Sequence, residues 1–387
     1  MVALNKLLAL DELKPIHLVA GEKGIVRPVT GVNVTESGDL SEFFKENELI
    51  ITTGIDMQGN EQRLIAMVDA AFRHQAAGII LNVGPYIPYI PEEVLRFGDH
   101  HQFPIFEMPW AYRIADFVRI AVQFIASEQK AQSKAAQMLS DILFNPELDQ
   151  EKITRELSQA GILAEDDFAI IMCSADSQQT LTPSEVYTIE GTLTQRYKLL
   201  LSMTDQNRIL YMVNRPKGRV PQTSLSDIVK DLYCSDKDKM GQKNLFIGMG
   251  NFYNQLSHLR KSYEEAKIVI YLSRNHPDDR VFEYKDIGAY KLLLEVQNRS
   301  VIEKFHRDYL GVLYHYDQLH HTDLVHFLRV FLEEDGHTAA IARKEFIHRN
   351  TVLYKIKKIE SILGMDLCRP FIKTNLALAF MIEDVIK

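Results

Sequence analysis

Basic and polar side chains are concentrated in one short segment near the C-terminus of this 387-residue chain. Between positions 341 and 373, eight lysines and arginines stand against three acidic residues, a local charge of +5, whereas the whole chain has a formal net charge of −8. Guanidinium and ammonium groups bind phosphates and guanine edges, and asparagine amides bind adenine. The segment therefore predicts one basic surface for nucleic acid on an otherwise acidic protein.

Hydrophobic spacing divides this segment into two short helices. The first begins at Thr338, and its predicted apolar face is Ala339, Ala342 and Phe346. The second carries an apolar stripe at helical spacing, Val352, Ile356, Ile359 and Leu363. Two short helices joined by a brief turn are typical of a helix-turn-helix. The polar residues left on the second helix are candidate DNA contacts: Arg349, Asn350, Tyr354, Lys355, Lys357 and Lys358. Charge and periodicity alone leave an ordinary solvated helix face equally open.

An α/β pattern occupies the N-terminal part of the chain. Strand-like runs at 29–34, 49–53, 78–83 and 104–107 alternate with helical runs at 60–74 and 91–101, which predicts an α/β domain over residues 1–113 with a partly parallel sheet. Ligands bind such sheets at the carboxyl ends of the parallel strands. That rule selects five candidate effector contacts: Thr52, Thr53, Gly54, Asn82 and Gly84. Ordinary turn chemistry is the alternative explanation for these residues.

Residues 114–143 contain neither glycine nor proline and predict one long helix within a linker over residues 114–145. A heptad-like seam, interrupted by a glutamate, comprises Phe117, Ala121, Phe124, Glu128, Ala131, Ala135, Met138 and Ile142. A dimerising coiled coil and a helix that packs on its own domains are equally open. Asn145 and Pro146 are predicted to end the helix.

A second α/β pattern follows over residues 146–285. Its predicted strands are 167–173, 197–203, 208–213 and 244–249, and its predicted helices are 185–196 and 256–272. From residue 286 to residue 387 the pattern is almost entirely helical. The expected fold class is therefore multidomain: two α/β domains, a linker helix between them, and a helical domain with a helix-turn-helix near 338–363.

Composition limits the classes of protein that this chain represents. Apolar residues make up 46% and charged residues 25%, as in globular proteins and unlike disordered chains. Three cysteines without a CxxC pair argue against a disulfide framework or a zinc ribbon, and no apolar run is long enough to span a bilayer. We expect a cytoplasmic protein without a membrane partner.

The order of residues in the basic segment resembles the C-terminal helix-turn-helix of the PucR and CdaR group of bacterial transcriptional regulators. The resemblance lies in the Thr-Ala pair at 338 and 339, the His-Arg-Asn-Thr run at 348–351 and the Tyr-Lys pair at 354 and 355. The family commonly has arginine where this chain has Lys355, so the bidentate donor of arginine is missing there. The resemblance implies that Thr338, His348 and Thr351 join the candidate DNA contacts.

Two other parts of the chain are similar to the same family. The stretches LVAGEKGIVRPVTGVNVTE, ENELIITTG and AAGIILNVG look like the PucR-type sensory domain, and LFIGMGNFYNQLSHLRKSYEEAKIVIYL resembles its degenerate cyclase-like (GGDEF-like) domain. The resemblance implies a DNA-binding regulator of a catabolic operon, an activator, that responds to a purine breakdown product, an amino acid or a sugar acid. One helix-turn-helix makes few base contacts, so we expect a homodimer or a higher homo-oligomer on double-stranded DNA.

Catalytic, metal and cofactor chemistry find little support in the sequence. Cyclic-dinucleotide synthesis needs a glycine-rich hairpin turn with adjacent acids, and the turn at 204–207 (Thr-Asp-Gln-Asn) has neither. His320 and His321 are adjacent and would point in different directions on a helix, which does not suit a metal site. We expect no catalytic residue, no metal site and no cofactor. The alternative function is a metabolite- or cyclic-dinucleotide-binding signalling protein whose C-terminal helices bind a protein partner.

Overall fold

The computed structural model describes residues 2–36, 42–57, 60–145, 147, 149–159, 161–162, 167–175, 180–205, 207–214, 225–227, 229, 245–276 and 280–386. The chain divides into two compact units, Met1–Ile270 and Tyr271–Lys387. The first unit contains two separate β-sheets of four and five strands and a small two-stranded ribbon. The described elements of the second unit are helices. The predicted class, mixed α/β regions followed by a helical region, is confirmed.

The N-terminal sheet has five strands in the order β2-β7-β6-β5-β4: β2 (His17–Ala20), β4 (Gly31–Val34), β5 (Glu48–Thr52), β6 (Gly78–Val83) and β7 (Ile105–Pro109). β4 to β7 pair in parallel, as the alternating pattern predicts, whereas β2 is antiparallel to β7. The predicted strand at 29–34 is two strands, because β3 (Pro28–Val29) pairs instead with β1 (Val2–Ala3). β5 and β6 are covered on both faces, which explains their continuous apolar runs.

Helices cover the two faces of this sheet. α2 (Glu61–Arg73) and α3 (Glu92–His101) pack on one face, and α1 (Leu4–Leu8) with the first part of α4 (Ile114–Phe144) packs on the other. Asn60 begins α2 as predicted, because its side chain accepts the backbone N–H groups of Gln62 and Arg63 at 3.0 and 3.4 Å. These helices hold the carboxyl ends of β5 and β6 in fixed positions.

The long helix α4 has two buried ends and an open middle. Phe117 and Ala121 belong to the core of the N-terminal sheet, and Met138 and Ile142 belong to the core of the second sheet. Residues 126–134 between them are exposed or half-exposed. Both ends of the predicted seam therefore pack on their own chain. Pro146 lies outside the described residues.

The second sheet is antiparallel throughout, in the order β11-β8-β10-β9: β8 (Phe168–Ser174), β9 (Lys198–Asp205), β10 (Arg208–Asn214) and β11 (Phe246–Met249). Its helices are α5 (Gln150–Gln159), α6 (Pro183–Leu193) and α7 (Leu259–Asn275). A capping box between Thr182 and Glu185 begins α6 at Pro183, two residues before the predicted start. Gln206 of the predicted hairpin turn and Asn244 of the predicted last strand lie outside the described residues.

Among the described residues, six α-helices lie wholly within the second unit: α8 (Tyr290–Leu294), α9 (Arg299–His320), α10 (Leu324–Glu333), α11 (Thr338–Lys344), α12 (Arg349–Leu363) and α13 (Pro370–Ile386). Leucine, isoleucine and phenylalanine side chains from α9 to α13 form one continuous core. Within the described part of the chain, every helix is too short or too polar to cross a bilayer.

Two adjacent carboxylates near the end of α13 fasten this unit together. Glu383 accepts hydrogen bonds from the Tyr314 hydroxyl at 2.8 Å and from Arg329 at 3.2 Å. Asp384 accepts from the Tyr290 hydroxyl at 2.7 Å, and its carboxylate lies 2.8 Å from the Nε2 atom of His276. Burial disfavours the charge of Asp384, but the hydrogen bonds from His276 and Tyr290 outweigh it and leave the pKa of this carboxyl below its ordinary value.

Candidate nucleic-acid interface

The apolar stripe predicted for the second helix of the motif is present in α12. Val352 and Ile359 are fully buried, and Ile356 and Leu363 are half-buried in the core of the second unit. The stripe fixes α12 against its neighbours, so the opposite side of the helix is directed to solvent.

The apolar face predicted for the first helix is partly wrong. Ile341 is the fully buried residue of α11, whereas Ala339 is exposed and Phe346 is 95% exposed. The reason is the length of α11, which ends at Lys344, so the helical periodicity no longer applies at position 346. Phe346 instead lies in the turn with a φ of 55°.

His348 begins α12 as its N-terminal cap. Its Nδ1 atom accepts the backbone N–H of Asn350 at 3.2 Å. The side chains of Arg349, Asn350 and Thr351 follow in the first turn and are all exposed. A helix N-terminus carries free N–H groups and a partial positive charge, so this turn suits an anionic ligand.

The remaining exposed groups on α12 extend the same surface toward the helix C-terminus. Tyr354 is 66% exposed and Lys357 is exposed, one turn and two turns after Asn350. Lys358 is half-exposed, with its ammonium 5.4 Å from the ring centre of Tyr316. Thr338, at the start of α11, is half-exposed.

Lys355 differs from the other basic residues of α12, because an acidic residue of the chain binds its ammonium. The Nζ atom lies 3.0 Å from Asp323 Oδ1 and 5.0 Å from the ring centre of Phe327, and 21% of the side chain is exposed. The hydrogen bond from Lys355 lowers the pKa of the Asp323 carboxyl. Lys355 therefore ties α12 to the start of α10. Lys355, which the sequence predicts as a DNA contact, thus has an intramolecular partner in the free protein.

Two further lysines in the basic segment are also neutralised. Lys344 pairs with Glu333 and Glu334 at 3.0 and 3.3 Å, and Lys373 pairs with Asp335 at 2.7 Å. Among the described residues, five basic side chains of the segment have no acidic partner within 4 Å: Arg343, Arg349, Lys357, Lys358 and Arg369. The uncompensated positive charge is thus concentrated on α12 and its flanks.

The candidate effector residues of the first unit lie together, but their polar groups bond to the protein. Thr52 and Thr53 donate their hydroxyls to Glu36 Oε2 at 3.2 and 2.8 Å, and Asn82 donates to the carbonyls of Met108 and Pro109. Gly54 and Gly84 also lie at these strand ends; a Cβ on Gly84 would stand 2.7 Å from the Trp110 ring. Thr52 and Asn82 are buried, at 0% and 3% exposure.

Sequence reasoning missed Glu36, which follows the edge strand β4 and accepts hydrogen bonds from the hydroxyls of both threonines. The strand-end rule applied to β4 would have selected it. It also missed a cleft of about 60 Å³ beside the strand ends, lined by Met57, Asn60, Glu61, Leu64, Tyr86, Ile87, Pro88, Tyr89 and Pro91. Ile87 of the cleft lies over Gly54, and the Tyr89 hydroxyl donates to Glu61.

One carboxylate and thiol cluster is close enough for a metal among the described residues. Ligand atoms of Glu360, Asp366 and Cys368 lie within 4.8 Å of one another. Glu360 already accepts the N–H of Leu367 at 3.1 Å, and Asp366 that of Cys368 at 2.9 Å. These bonds stabilise the turn between α12 and α13, which explains the cluster without an ion.

Three domain families match consecutive parts of the chain. Residues 6–125 match the purine catabolism regulatory protein-like family (PucR), residues 145–272 match the GGDEF-like domain, and residues 324–382 match the PucR C-terminal helix-turn-helix domain. The last range contains α10 to α12 and most of α13. The resemblance stated from the sequence is therefore confirmed.

Curated relatives come from Bacillus subtilis (strain 168). The DNA-binding transcriptional activator AdeR is 22% identical over 65% of this chain and 58% of its own length, and the proline-responsive transcriptional activator PutR is 22% identical over 62% and 59%. The purine catabolism regulatory protein is 29% identical over 28% of this chain and 20% of its own. The matches thus span less than two thirds of each relative.

Among solved structures, the regulator of polyketide synthase expression from Bifidobacterium adolescentis aligns over 65% of this chain and 93% of that chain, with 15% identity and a TM-score of 0.29. A score this low supports no comparison of folds. The three matched domains follow one another in the order expected from the sequence, and the curated homologues are PucR-type transcriptional regulators.

Proposed function

We propose that this protein is a DNA-binding transcriptional regulator of catabolic genes and that α12 is its recognition helix. One observation carries the proposal: α12 buries its apolar stripe and leaves Arg349, Asn350 and Lys357 exposed, with no acidic partner within 4 Å in the described part of the chain. A helix of this kind, preceded by a short helix and a turn, fits the major groove. The names of AdeR and PutR support activation rather than repression.

The side chains divide into those suited to bases and those suited to phosphates. Asn350, in the first turn, suits an adenine edge, and Arg349 suits a guanine edge or a phosphate. We assign phosphate contacts to Thr338, Thr351, Tyr354, Lys357 and Lys358. His348 positions the first turn through its cap. Lys355 is left out, because its ammonium is bound to Asp323.

The first experiment is selection of bound fragments from the host genome by the purified protein at about 0.15 M salt. Regulation of catabolic genes predicts a few sites that share a repeated motif, and the adjacent genes would name the pathway. Recovery of no fragment above background, at low salt as well, would contradict the proposed function.

Single variants then test the assigned roles on a recovered site and on a scrambled duplex. Asn350→Ala should lower affinity for the site by about 1–3 kcal/mol and leave the scrambled duplex almost unchanged. Lys357→Ala should weaken both duplexes alike. Lys304→Ala, at an exposed position of α9, is the matched control and should change neither. Equal loss on both duplexes for Asn350→Ala would remove its base contact.

The same binding measurements distinguish a DNA partner from a protein partner. DNA binding through α12 should fall steeply with ionic strength, because bound phosphates release counterions. A C-terminal unit that docks a protein through an apolar groove would show little dependence on salt. A salt-insensitive complex with a protein, in the absence of any DNA complex, would favour the signalling protein.

Small polar metabolites are the effectors that we propose for the first unit. The support is the cleft beside the carboxyl ends of β5 and β6, where Asn60, Glu61 and Tyr89 supply polar groups next to apolar walls. Thr52, Thr53 and Asn82 lie at these strand ends, on the protein side of the cleft. Thermal shift with purine breakdown products, amino acids and sugar acids tests it; Asn60→Ala should abolish the shift of a true ligand. An unchanged shift in this variant would place the ligand elsewhere.

A homodimer in the cytoplasm completes the proposal. Two helix-turn-helix units are needed to cover a repeated site, and half-site spacing would follow from their separation. The open middle of α4, residues 126–134, is a surface available to a second copy. Light scattering of the free protein and of its complex with a recovered site measures the copy number. One copy per site would contradict this arrangement.

A further inference from the structure

Phe346 has a backbone conformation that is unfavourable for its side chain. It lies in the turn between α11 and α12 with a φ of 55°, in the left-handed region. Its side chain is nevertheless 95% exposed. The other described non-glycine residues in this region are polar: Asn47, Gln75, Gln102, His321 and Asp335. Phe346 is the apolar exception in the part of the chain that the structure describes.

The turn around Phe346 is a Schellman motif. The N–H of Ile347 donates to the carbonyl of Ala342 at 3.0 Å, and the N–H of Phe346 donates to the carbonyl of Arg343 at 3.4 Å. Ile347 and Ala342 pack against the core of the unit. The residues on both sides are thus held, and the phenylalanine is presented outward.

Glycine is the usual occupant of this position, because it has no Cβ to clash. The same unit has glycine at three other left-handed positions, Gly288 with φ 59°, Gly336 with φ 79° and Gly364 with φ 64°. At position 346 the protein accepts both a strained backbone and a fully hydrated aromatic ring. Neither feature stabilises the free protein, and their combination at one residue points to a role for the side chain in a bound state.

The surroundings identify the chemistry of the partner. Phe346 is two residues before His348, the cap of α12. Apart from Lys344, which pairs with Glu333 and Glu334, the nearest exposed cations along the chain are Arg343 and Arg349. Neither arginine has an acidic partner within 4 Å among the described residues. A polyanion therefore fits this surface better than an apolar protein groove. Duplex DNA is a polyanion that also offers apolar groups, namely thymine methyl groups in the major groove and the deoxyribose rings.

We propose that Phe346 is a DNA contact whose ring packs on these apolar groups of the duplex beside the recognition helix. This inference rests on the proposed function and adds a residue that carries no charge. Its energetic pattern is distinctive: removal of the ring should stabilise the free protein and weaken the complex.

The test uses the full chain, a site recovered by genomic selection and fluorescence anisotropy. Phe346→Gly and Phe346→Asn should each raise the unfolding midpoint by a few degrees and lower affinity for the site about tenfold, without a change in salt slope. Asn tolerates the left-handed region and keeps the turn ordered, so it excludes loss of affinity through flexibility. Phe346→Leu, which retains an apolar side chain, should keep most of the affinity.

Two control variants separate the effect of the aromatic ring from the effect of the backbone strain. His321→Gly relieves a left-handed residue, φ 50°, at the end of α9 and should raise stability without affecting DNA. Phe371→Ala removes another exposed phenylalanine, at 69% exposure, from outside the turn and should leave affinity unchanged.

Wild-type affinity in Phe346→Gly and Phe346→Asn would overturn the proposal. It would also be overturned if both variants bound DNA normally but lost transcriptional activation, since the ring would then contact a protein. Failure of the proposed function looks different: the wild-type protein and every variant, Arg349→Ala included, would show the same absence of DNA binding at low salt.

Discussion

Lys355 and Lys357 are two residues apart in one basic run, yet the structure predicts opposite behaviour for them. Lys357 is exposed and forms no ion pair with any residue that the structure describes, whereas Lys355 is bound to Asp323 at 3.0 Å. Lys→Met at each position keeps the length of the side chain and removes the charge. The comparison therefore tests whether sequence position or intramolecular pairing decides which lysine contacts DNA.

The expected magnitude for DNA binding follows from counterion release. Each phosphate contact contributes about 0.9 to the slope of log affinity against log salt. Between 50 and 200 mM salt, one contact amounts to roughly a 3.5-fold change in affinity. Lys357→Met should therefore lower the slope by about 0.9, whereas Lys355→Met should leave it within about 0.3 of the wild-type value.

The effects of the two variants on the stability of the free protein should have the opposite order. Asp323 is 65% exposed, so its pair with Lys355 is screened by water and contributes about 0.2–1 kcal/mol. Lys355→Met should lose about that much, and Lys357→Met should lose nothing measurable. Salt titrations by fluorescence anisotropy give the slopes, and hydrogen exchange of α12 amides gives the stability. A fall of about 0.9 in slope for Lys355→Met would refute the assignment, and Lys304→Met serves as the neutral control.

Two further outcomes follow from the core of the second unit. Ile359→Ala removes a fully buried side chain from α12 and should cost about 2–5 kcal/mol, seen as faster hydrogen exchange throughout α9 to α13. Unchanged exchange would show that α12 is not packed through this residue. Asp384 has a lowered pKa, so its contribution is present above its ordinary pKa near 3.8 and is lost as the pH falls through the lowered value. Asp384→Asn should therefore cost about 1.5–3 kcal/mol at pH 7 and flatten the acid-unfolding curve of this unit; equal acid sensitivity in both proteins would contradict it.

Sequence spacing correctly predicts the buried face of the second helix of the motif but not that of the first. The stripe from Val352 to Leu363 runs through an uninterrupted helix, so periodicity and burial agree. At Phe346 helical spacing does not predict burial correctly, because α11 ends before this residue. The turn sets the position of that end.

Spacing alone could have placed Lys355 at the edge of the packed face of α12. It lies three residues after Val352 and four before Ile359, and residues at those separations are neighbours on a helix surface. A lysine between two buried positions is at the edge of the packed face. Its partner, Asp323, is 32 residues away and belongs to another helix, and only the packing of α10 against α12 brings it close.

The strand-end rule located a real cluster in the first unit but not how its polar groups are used. Spacing places Thr52 and Thr53 at the right edge of the sheet, and the parallel pairing of β5 and β6 agrees. That Glu36 occupies the threonine hydroxyls depends on a tertiary approach across β4 and β5. The cleft beside them is formed where side chains at the start of α2 meet those of the loop after β6, and this meeting is a tertiary contact that no periodic pattern predicts.

The cap on α12 has a consequence for the imidazole that makes it. Nδ1 of His348 accepts the N–H of Asn350 and so carries no hydrogen. A neutral imidazole has one protonated nitrogen, so the tautomer is fixed with the hydrogen on Nε2. Because the ring is exposed, that N–H is open to solvent beside the first turn of α12. One side chain thus caps the helix through one ring nitrogen and leaves the other nitrogen as a hydrogen-bond donor.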